Sequence, residues 1–185
     1  MPVYQNSTVT ANNLVIGNYK IESAASTTAT YTNLGAGIVS SFGHNITKYD
    51  IQAGNAPDPI EGVADEEFRI EFEMIEYNGS VLSDIQGGTI SSTSVTNLNT
   101  ITGGGNTIIT ERAFRLTNYR HIGATTSKTI ITVHKATMEN GIQFTPKSDN
   151  DADPIMVMPG VIVAKNDTTH TAGSQLFSIT HTRIP

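Results

Sequence analysis

The 185-residue chain has no cysteine, no tryptophan and few basic side chains. Without cysteine it can form no disulfide framework, no thiolate nucleophile and no cysteine-ligated zinc or iron–sulfur site. Aromatic residues make up only 6% of the chain, which leaves little material for a platform that stacks on sugars or on single-stranded nucleic acid. The 11 basic residues against 17 acidic ones give a net charge of −6, which disfavours a duplex-binding groove.

The sequence also lacks the short motifs that accompany common enzyme chemistry. It has no Gly-x-Ser-x-Gly elbow, no His-Glu-x-x-His pair, no P-loop and no Gly-x-Gly-x-x-Gly after a strand. The acidic run at 149–153 lacks the glycine and the distal glutamate of a calcium loop. We therefore expect no catalytic role, no cofactor and no metal site. We expect structural roles for the five histidines, which lie far apart in the sequence: His44, His121, His134, His170 and His181.

Long apolar runs are missing as well. No apolar stretch approaches 18 residues, and the first residues show no charged segment followed by an apolar one. We expect neither a membrane span nor a secretion signal. A chain of this length predicts a single domain over residues 1–185.

The sequence is rich in threonine, with 26 residues, and its apolar runs of four to eight residues are separated by polar stretches. This composition is typical of β-strands. Asn140-Gly141 predicts a tight hairpin turn, because Asn-Gly accepts positive φ, and the sheet is expected to be antiparallel. Only residues 78–87, from Asn78 to Gly87, indicate a short helix. The strand candidates are residues 14–21, 37–42, 67–74, 107–116, 129–137, 142–145, 155–163 and 175–182.

The clearest strand pattern is the alternation over residues 67–74. Apolar and charged side chains alternate there with a period of two, which predicts one buried face and one exposed face. Glu71 and Glu73 would lie roughly 7 Å apart on the exposed face. That spacing is compatible with acid–base catalysis and equally with a solvated sheet face. The apolar members are Phe68, Ile70, Phe72 and Met74, and the charged members are Glu67, Arg69, Glu71 and Glu73.

Two long stretches, residues 43–65 and 87–106, show no strand pattern. Structureless segments of this length are uncommon inside a compact domain and are usually functional arms or disordered. We interpret the first as an arm that packs on a neighbouring subunit, with a mobile surface loop as the alternative. The second contains Gly103-Gly104-Gly105 and is interpreted as an insertion.

Three segments resemble the tail tube, or major tail, proteins of tailed bacteriophages. The first is residues 64–78, an alternating strand that runs into a short helix after a long hairpin loop. The second is residues 129–147, which turn through Asn140-Gly141, and the third is the closing strand at residues 176–180. From the first to the last they extend over residues 64–180, which is most of the chain. The tubes of contractile tails, of pyocins and of type VI secretion have a similar fold, and the sequence does not separate these relatives.

The resemblance implies a mainly β subunit: an antiparallel β-sandwich or barrel-like fold with one short flanking helix and a long hairpin arm. It implies a virion protein that assembles in the host bacterial cytoplasm into hexameric rings, stacked as a hollow tail tube. Its partners would be further copies of itself and the tape-measure, initiator or baseplate, and terminator proteins. Viral DNA would pass through the tube without specific binding, and no membrane would be involved.

The same resemblance assigns roles to particular residues. Glu67, Arg69, Glu71 and Glu73 would line the channel, and their net charge of −2 per subunit would repel DNA. The arm would reach a neighbouring ring or subunit, and the two prolines in its tip would stiffen it and remove backbone donors. The residues of that tip are Gly54, Asn55, Pro57, Asp58 and Pro59.

Three other functions stay open. The chain could be another phage structural β-protein, such as a head-completion, baseplate or decoration component. It could be a cell-surface or carbohydrate-binding β-sandwich module, which its Thr, Asn and Gly content allows but its scarcity of aromatics disfavours. A hydrolase that uses Glu71 is the fourth choice.

Overall fold

The computed structural model describes residues 18–51, 60–77, 89–93, 98–102, 109–122, 125–139 and 158–184. Every regular element in these ranges is a β-strand. No helix in them is long and apolar enough to cross a membrane. The strands are β1 (Asn18–Ala24), β2 (Thr32–Ile51), β3 (Ile60–Tyr77), β4 (Thr89–Thr93), β5 (Leu98–Thr102), β6 (Arg112–Ile122), β7 (Thr125–Met138), β8 (Met158–Ala164) and β9 (Phe177–Ile184).

Seven of the strands form one sheet in the order β6-β1-β2-β3-β8-β7-β9, and all their pairings are antiparallel. The prediction of a mainly β, antiparallel fold is confirmed. Because β6 also pairs with β7, the pairings run in a closed circuit through β6, β1, β2, β3, β8 and β7. Strand β9 lies outside that circuit and pairs with residues 126–133 of β7.

The core is one cluster to which the strands of the closed circuit contribute. On β3 the apolar residues predicted to be buried are at most 2% exposed, and the charged residues between them are not buried. Burying each of these large side chains contributes about 1.5–3 kcal/mol relative to leaving it exposed. Phe177 of β9 packs against this cluster, with its ring stacked on Phe68 at 3.9 Å between centroids.

The interpretation of residues 43–65 as a stretch without strands is wrong in its described part. Residues 43–51 continue β2 and residues 60–65 begin β3, and the two are paired through Ile51↔Ile60. These strands were not predicted because both faces of this part are largely exposed. A strand exposed on both faces need not alternate apolar and polar residues.

The second long stretch, residues 87–106, also contains strands in its described part. Strands β4 and β5 pair with each other as a separate two-stranded sheet. The predicted helix at 78–87, the Asn140-Gly141 turn and the strand at 142–145 lie outside the described residues. Of the strand predicted at residues 14–21, the described part is residues 18–21, which belong to β1.

Gly160 of β8 lies directly opposite Phe72 of β3 and makes room for its ring. A Cβ atom built at Gly160 would overlap that ring. The buried Phe72 therefore requires the smallest residue across from it. Gly43 of β2 is the contrasting case, because a Cβ atom there meets nothing within 4 Å.

We predict that Gly160→Ala lowers the free energy of unfolding by about 1–3 kcal/mol, because the added methyl group displaces the Phe72 ring in a filled core. Urea denaturation followed by circular dichroism measures the change. Gly43→Ala is the matched control and should leave the stability nearly unchanged. Equal effects of the two substitutions would contradict this account of the core.

Candidate assembly surface on the β2–β3 hairpin

The β2–β3 pair is much longer than the strands beside it. Among the described residues, β1 pairs with β2 only as far as Ile38, and β8 pairs with β3 only from Arg69 onward. Residues 42–51 and 60–67, here called the distal hairpin, extend beyond those neighbours. Ten residues of strand give the distal hairpin a length of about 33 Å. Its outer edges have no partner strand among the described residues.

The distal hairpin carries much of the exposed apolar surface. Five of the ten large apolar residues that are exposed in the described part of the chain lie on it, each with 44–51% of its surface accessible. Exposed apolar side chains concentrated on one element, as here, are typical of interaction sites. These residues are Phe42, Ile46, Tyr49, Ile51 and Val63.

The distal hairpin is also acidic. Its one lysine, Lys48, donates to Glu61 at 3.0 Å between Nζ and Oε2. With that lysine counted, the net charge of the hairpin is −4. Apolar groups interspersed with carboxylates are suited to a surface that is basic and partly apolar. The carboxylates are Asp50, Glu61, Asp65, Glu66 and Glu67.

The predicted channel-lining residues form an acidic strip on β3, which starts in the distal hairpin and continues beside the core. Glu67, Arg69, Glu71 and Glu73 point away from the buried face, as their alternation requires. Ile38 of β2, 47% exposed, is paired with Glu73 and lies on the same face. The strip is therefore accessible at the side of the sheet opposite the core.

Arg69 is held within the strip by two carboxylates. Its Nε donates to Glu71 at 3.2 Å, and its Nη1 donates to Glu139 at 2.6 Å. These hydrogen bonds, first that to Glu139 and then that to Glu71, raise the pKa of Arg69 above its usual value. Ser41 donates a further hydrogen bond to Glu71 at 3.2 Å. Including Glu139, the group has four carboxylates and one guanidinium, so its net charge is −3.

The residues predicted for the tip of the arm cannot be placed with the strip. Gly54, Asn55, Pro57, Asp58 and Pro59 all fall within 52–59, outside the described residues. Ile51 and Ile60, the described residues on either side of that segment, are paired.

Two ion-pair clusters were not predicted from the sequence, because their members come from distant strands. Glu22 is 6% exposed and accepts from Lys20 Nζ at 2.8 Å and from Arg115 Nε at 2.9 Å. Burial raises the pKa of Glu22, but the two cations outweigh it and the pKa lies below its usual value. In the second cluster, Glu111 contacts Lys135 at 2.8 Å and Lys165 at 3.1 Å.

Two of the histidines meet in the fold. The rings of His134 and His170 stack with centroids 3.9 Å apart, and His170 Nε2 lies 3.9 Å from Asp167 Oδ2. His134 is 6% exposed and its Nδ1 has no hydrogen-bond partner among the described residues. The stack holds the 165–176 loop against β7, where the His134 amide also donates to the Leu176 carbonyl. The described residues contain no group of three metal-ligating side chains.

Burial, followed by the nearby His170, lowers the pKa of His134 below its usual value of 6.5. The folded protein then binds fewer protons than the unfolded chain near that pH, so stability rises with pH there and is lost as pH falls below about 6.5. We predict that the urea concentration at the midpoint of unfolding is lower at pH 5.5 than at pH 7.5. This decrease should be smaller in His134→Phe.

The control Gly43→Ala changes no titratable group and should keep the pH slope of the wild-type protein. A slope that is unchanged in His134→Phe would show that the stacked pair does not carry the pH dependence.

No protein-family model and no curated protein sequence matches the chain. Among solved structures, it is similar to the cap that terminates the tube of an anti-feeding prophage, determined by cryo-electron microscopy. The two share 8% sequence identity and a TM-score of 0.42, over 95% of this chain and 98% of that one.

Proposed function

We propose that this chain is a structural subunit of a phage-type tail, whose copies assemble into stacked hexameric rings that form a hollow tube for DNA. The observation that carries the proposal is the distal hairpin. It extends about 33 Å past the neighbouring strands that the structure describes and exposes five large apolar side chains. The resemblance of the sequence to tail tube proteins supplies the type of assembly.

A hairpin of this kind is better explained by assembly than by an isolated chain. Unpaired strand edges and exposed apolar side chains favour association with other chains, and natural monomers usually cover or shorten such edges. Contact with a neighbouring subunit would cover both the edges and the apolar side chains. The tip of the arm, predicted at 54–59, would contact a neighbouring ring or subunit.

The acidic strip supports the proposed channel. Glu67, Glu71 and Glu73 lie on the face opposite the core, and the one arginine among them already contacts two carboxylates of its own chain. Repeated around a ring, such a strip would repel phosphates at every subunit. DNA would be confined to the axis without being bound, because counterion release, the main source of DNA affinity, needs a cationic wall.

In this function the chain has no catalytic role and takes no cofactor. Its partners are further copies of itself and the tail proteins that begin, measure and end the tube, namely the initiator or baseplate, tape-measure and terminator proteins. The protein would reside in the tail of the virion after assembly in the bacterial cytoplasm.

We predict that the purified, concentrated protein forms long hollow tubes of uniform diameter in negative-stain electron microscopy. Tubes are expected because the same surfaces recur on every copy and can bind without limit along the axis. Isolated rings would favour a head-completion or decoration component instead. A protein that stays monomeric at every concentration would contradict assembly.

The channel assignment predicts that virions with Glu71→Lys and Glu73→Lys assemble normally and eject DNA more slowly. The substitutions remove only exposed contacts, which contribute about 0–1 kcal/mol each, but they place cations where phosphates pass. Ejection in vitro, followed by fluorescence of a DNA-binding dye, measures the rate. The control Asn166→Lys with Thr168→Lys adds charge to an exposed loop. If both variants eject at the wild-type rate, the strip does not line the channel.

A further inference from the structure

The end of the sheet formed by β6, β7 and β9 differs in charge from the distal hairpin. Residues 117–122, 125–133 and 177–184, here called the basic end, contain no aspartate or glutamate. They contain Arg120, Lys128 and Arg183, so their net charge is +3 with histidines neutral. The chain as a whole is acidic, at −6, so the positive charge of this end is a local feature of the fold.

The pairing register places these cations close together. Arg120 and Arg183 are both paired with Ser127 of β7, one from each side, and so lie about 10 Å apart on one face. Lys128 lies on the other face beside Tyr119, with its Nζ 5.4 Å from the ring centroid. Within the described residues, neither Lys128 nor Arg183 forms an ion pair with a carboxylate.

The basic end is also accessible and partly apolar. Strand β9 pairs only with β7, so its other edge has no described partner strand. The side chains at 178–183 are all exposed. Ile179 of β9 is 47% exposed and Tyr119 of β6 is 53% exposed. Ile179 and Arg183 share one face of β9, four residues and about 13 Å apart.

The distal hairpin presents the complementary pattern with the same spacing. Phe42 and Ile46 lie on one face, four residues apart, and Glu66 is paired with Ile46 on that face. Phe42 and the carboxylate of Glu66 are therefore about 13 Å apart along the hairpin. Ile179 and Arg183 have the same separation on β9. Complementary charge at matched positions fixes register and speeds encounter between partners.

We propose that the distal hairpin of one copy docks on β9 and the basic end of a second copy, with Phe42 against Ile179 and with Glu66 near Arg183. This inference rests on the proposed function, in which copies of the chain assemble. The two surfaces are formed by different residues, which border one cleft of the chain at Glu66 and Ile179, so a contact between copies that joins them is heterologous. Contacts of this type generate a ring when the rotation closes and a filament when it does not.

Charge reversal tests the pairing. Glu66→Lys should raise the protein concentration needed for assembly at least about tenfold, and Arg183→Glu should do the same, because each places like charges together. An equimolar mixture of the two variants should assemble at a lower concentration than either alone, since contacts between the two variants pair opposite charges in both directions. Light scattering at low ionic strength measures the threshold concentration.

The controls change the net charge by the same amount at an exposed loop. Asn166→Lys with Thr168→Lys matches Glu66→Lys, and Asn166→Asp with Thr168→Asp matches Arg183→Glu. Both controls should assemble as the wild type does. If Arg183→Glu assembles normally but loses retention of DNA in a filter-binding assay, the basic end is a DNA-binding surface and the proposal is overturned.

Crosslinking provides a second measurement that does not depend on assembly thresholds. Because the chain has no cysteine, introduced cysteines react without background. Copies with Phe42→Cys and copies with Ile179→Cys, each with a different tag, should crosslink through a short bis-maleimide. As a control, copies with Asn166→Cys and copies with Ile179→Cys should not crosslink. Tubes that form without the first crosslink would overturn this docking and leave the proposed function standing, whereas a wild-type chain that never assembles overturns both.

Discussion

The continuous antiparallel pairing of β2 with β3 is the interaction on which the other features depend. One half of the pair is anchored by Phe68, Ile70, Phe72 and Met74, which are buried between neighbouring strands. The other half has no neighbouring strand among the described residues and is held by its own hydrogen-bonded ladder, which extends to Ile51↔Ile60. A two-stranded ribbon has marginal stability by itself, so the buried half must hold the exposed half in place.

The same pair also distributes charge. Side chains alternate along a strand, so the residues between the buried apolar side chains of β3 point to the opposite face. Most of these residues are glutamates. The cations of the chain are concentrated elsewhere, in part at the basic end of β6, β7 and β9. This separation gives one subunit two surfaces of opposite charge, both with exposed apolar residues. The proposed assembly of copies requires complementary surfaces of this kind.

Much of the fold could be predicted where the pattern is local. The alternation on β3, the antiparallel arrangement and the burial of the apolar members follow from a period of two within eight residues. Residues 43–51 escaped prediction because a strand exposed on both faces has no reason to alternate. The stacking of His134 on His170, and the contacts of Glu22 with Arg115, were also beyond sequence reasoning, because the residues of each pair lie on separate elements.

The sequence by itself determined the kind of molecule: β-rich, acidic, free of cysteine and lacking known catalytic motifs. It also determined which residues of β3 are buried, because the alternation of side chains is a property of the extended backbone. Only the tertiary structure decided how far the hairpin extends beyond the sheet and which cations gather near β9. Those outcomes depend on strand order and register, which bring together residues as distant as Arg120 and Arg183. Such placement is set by the packing of the whole core, and no local pattern encodes it.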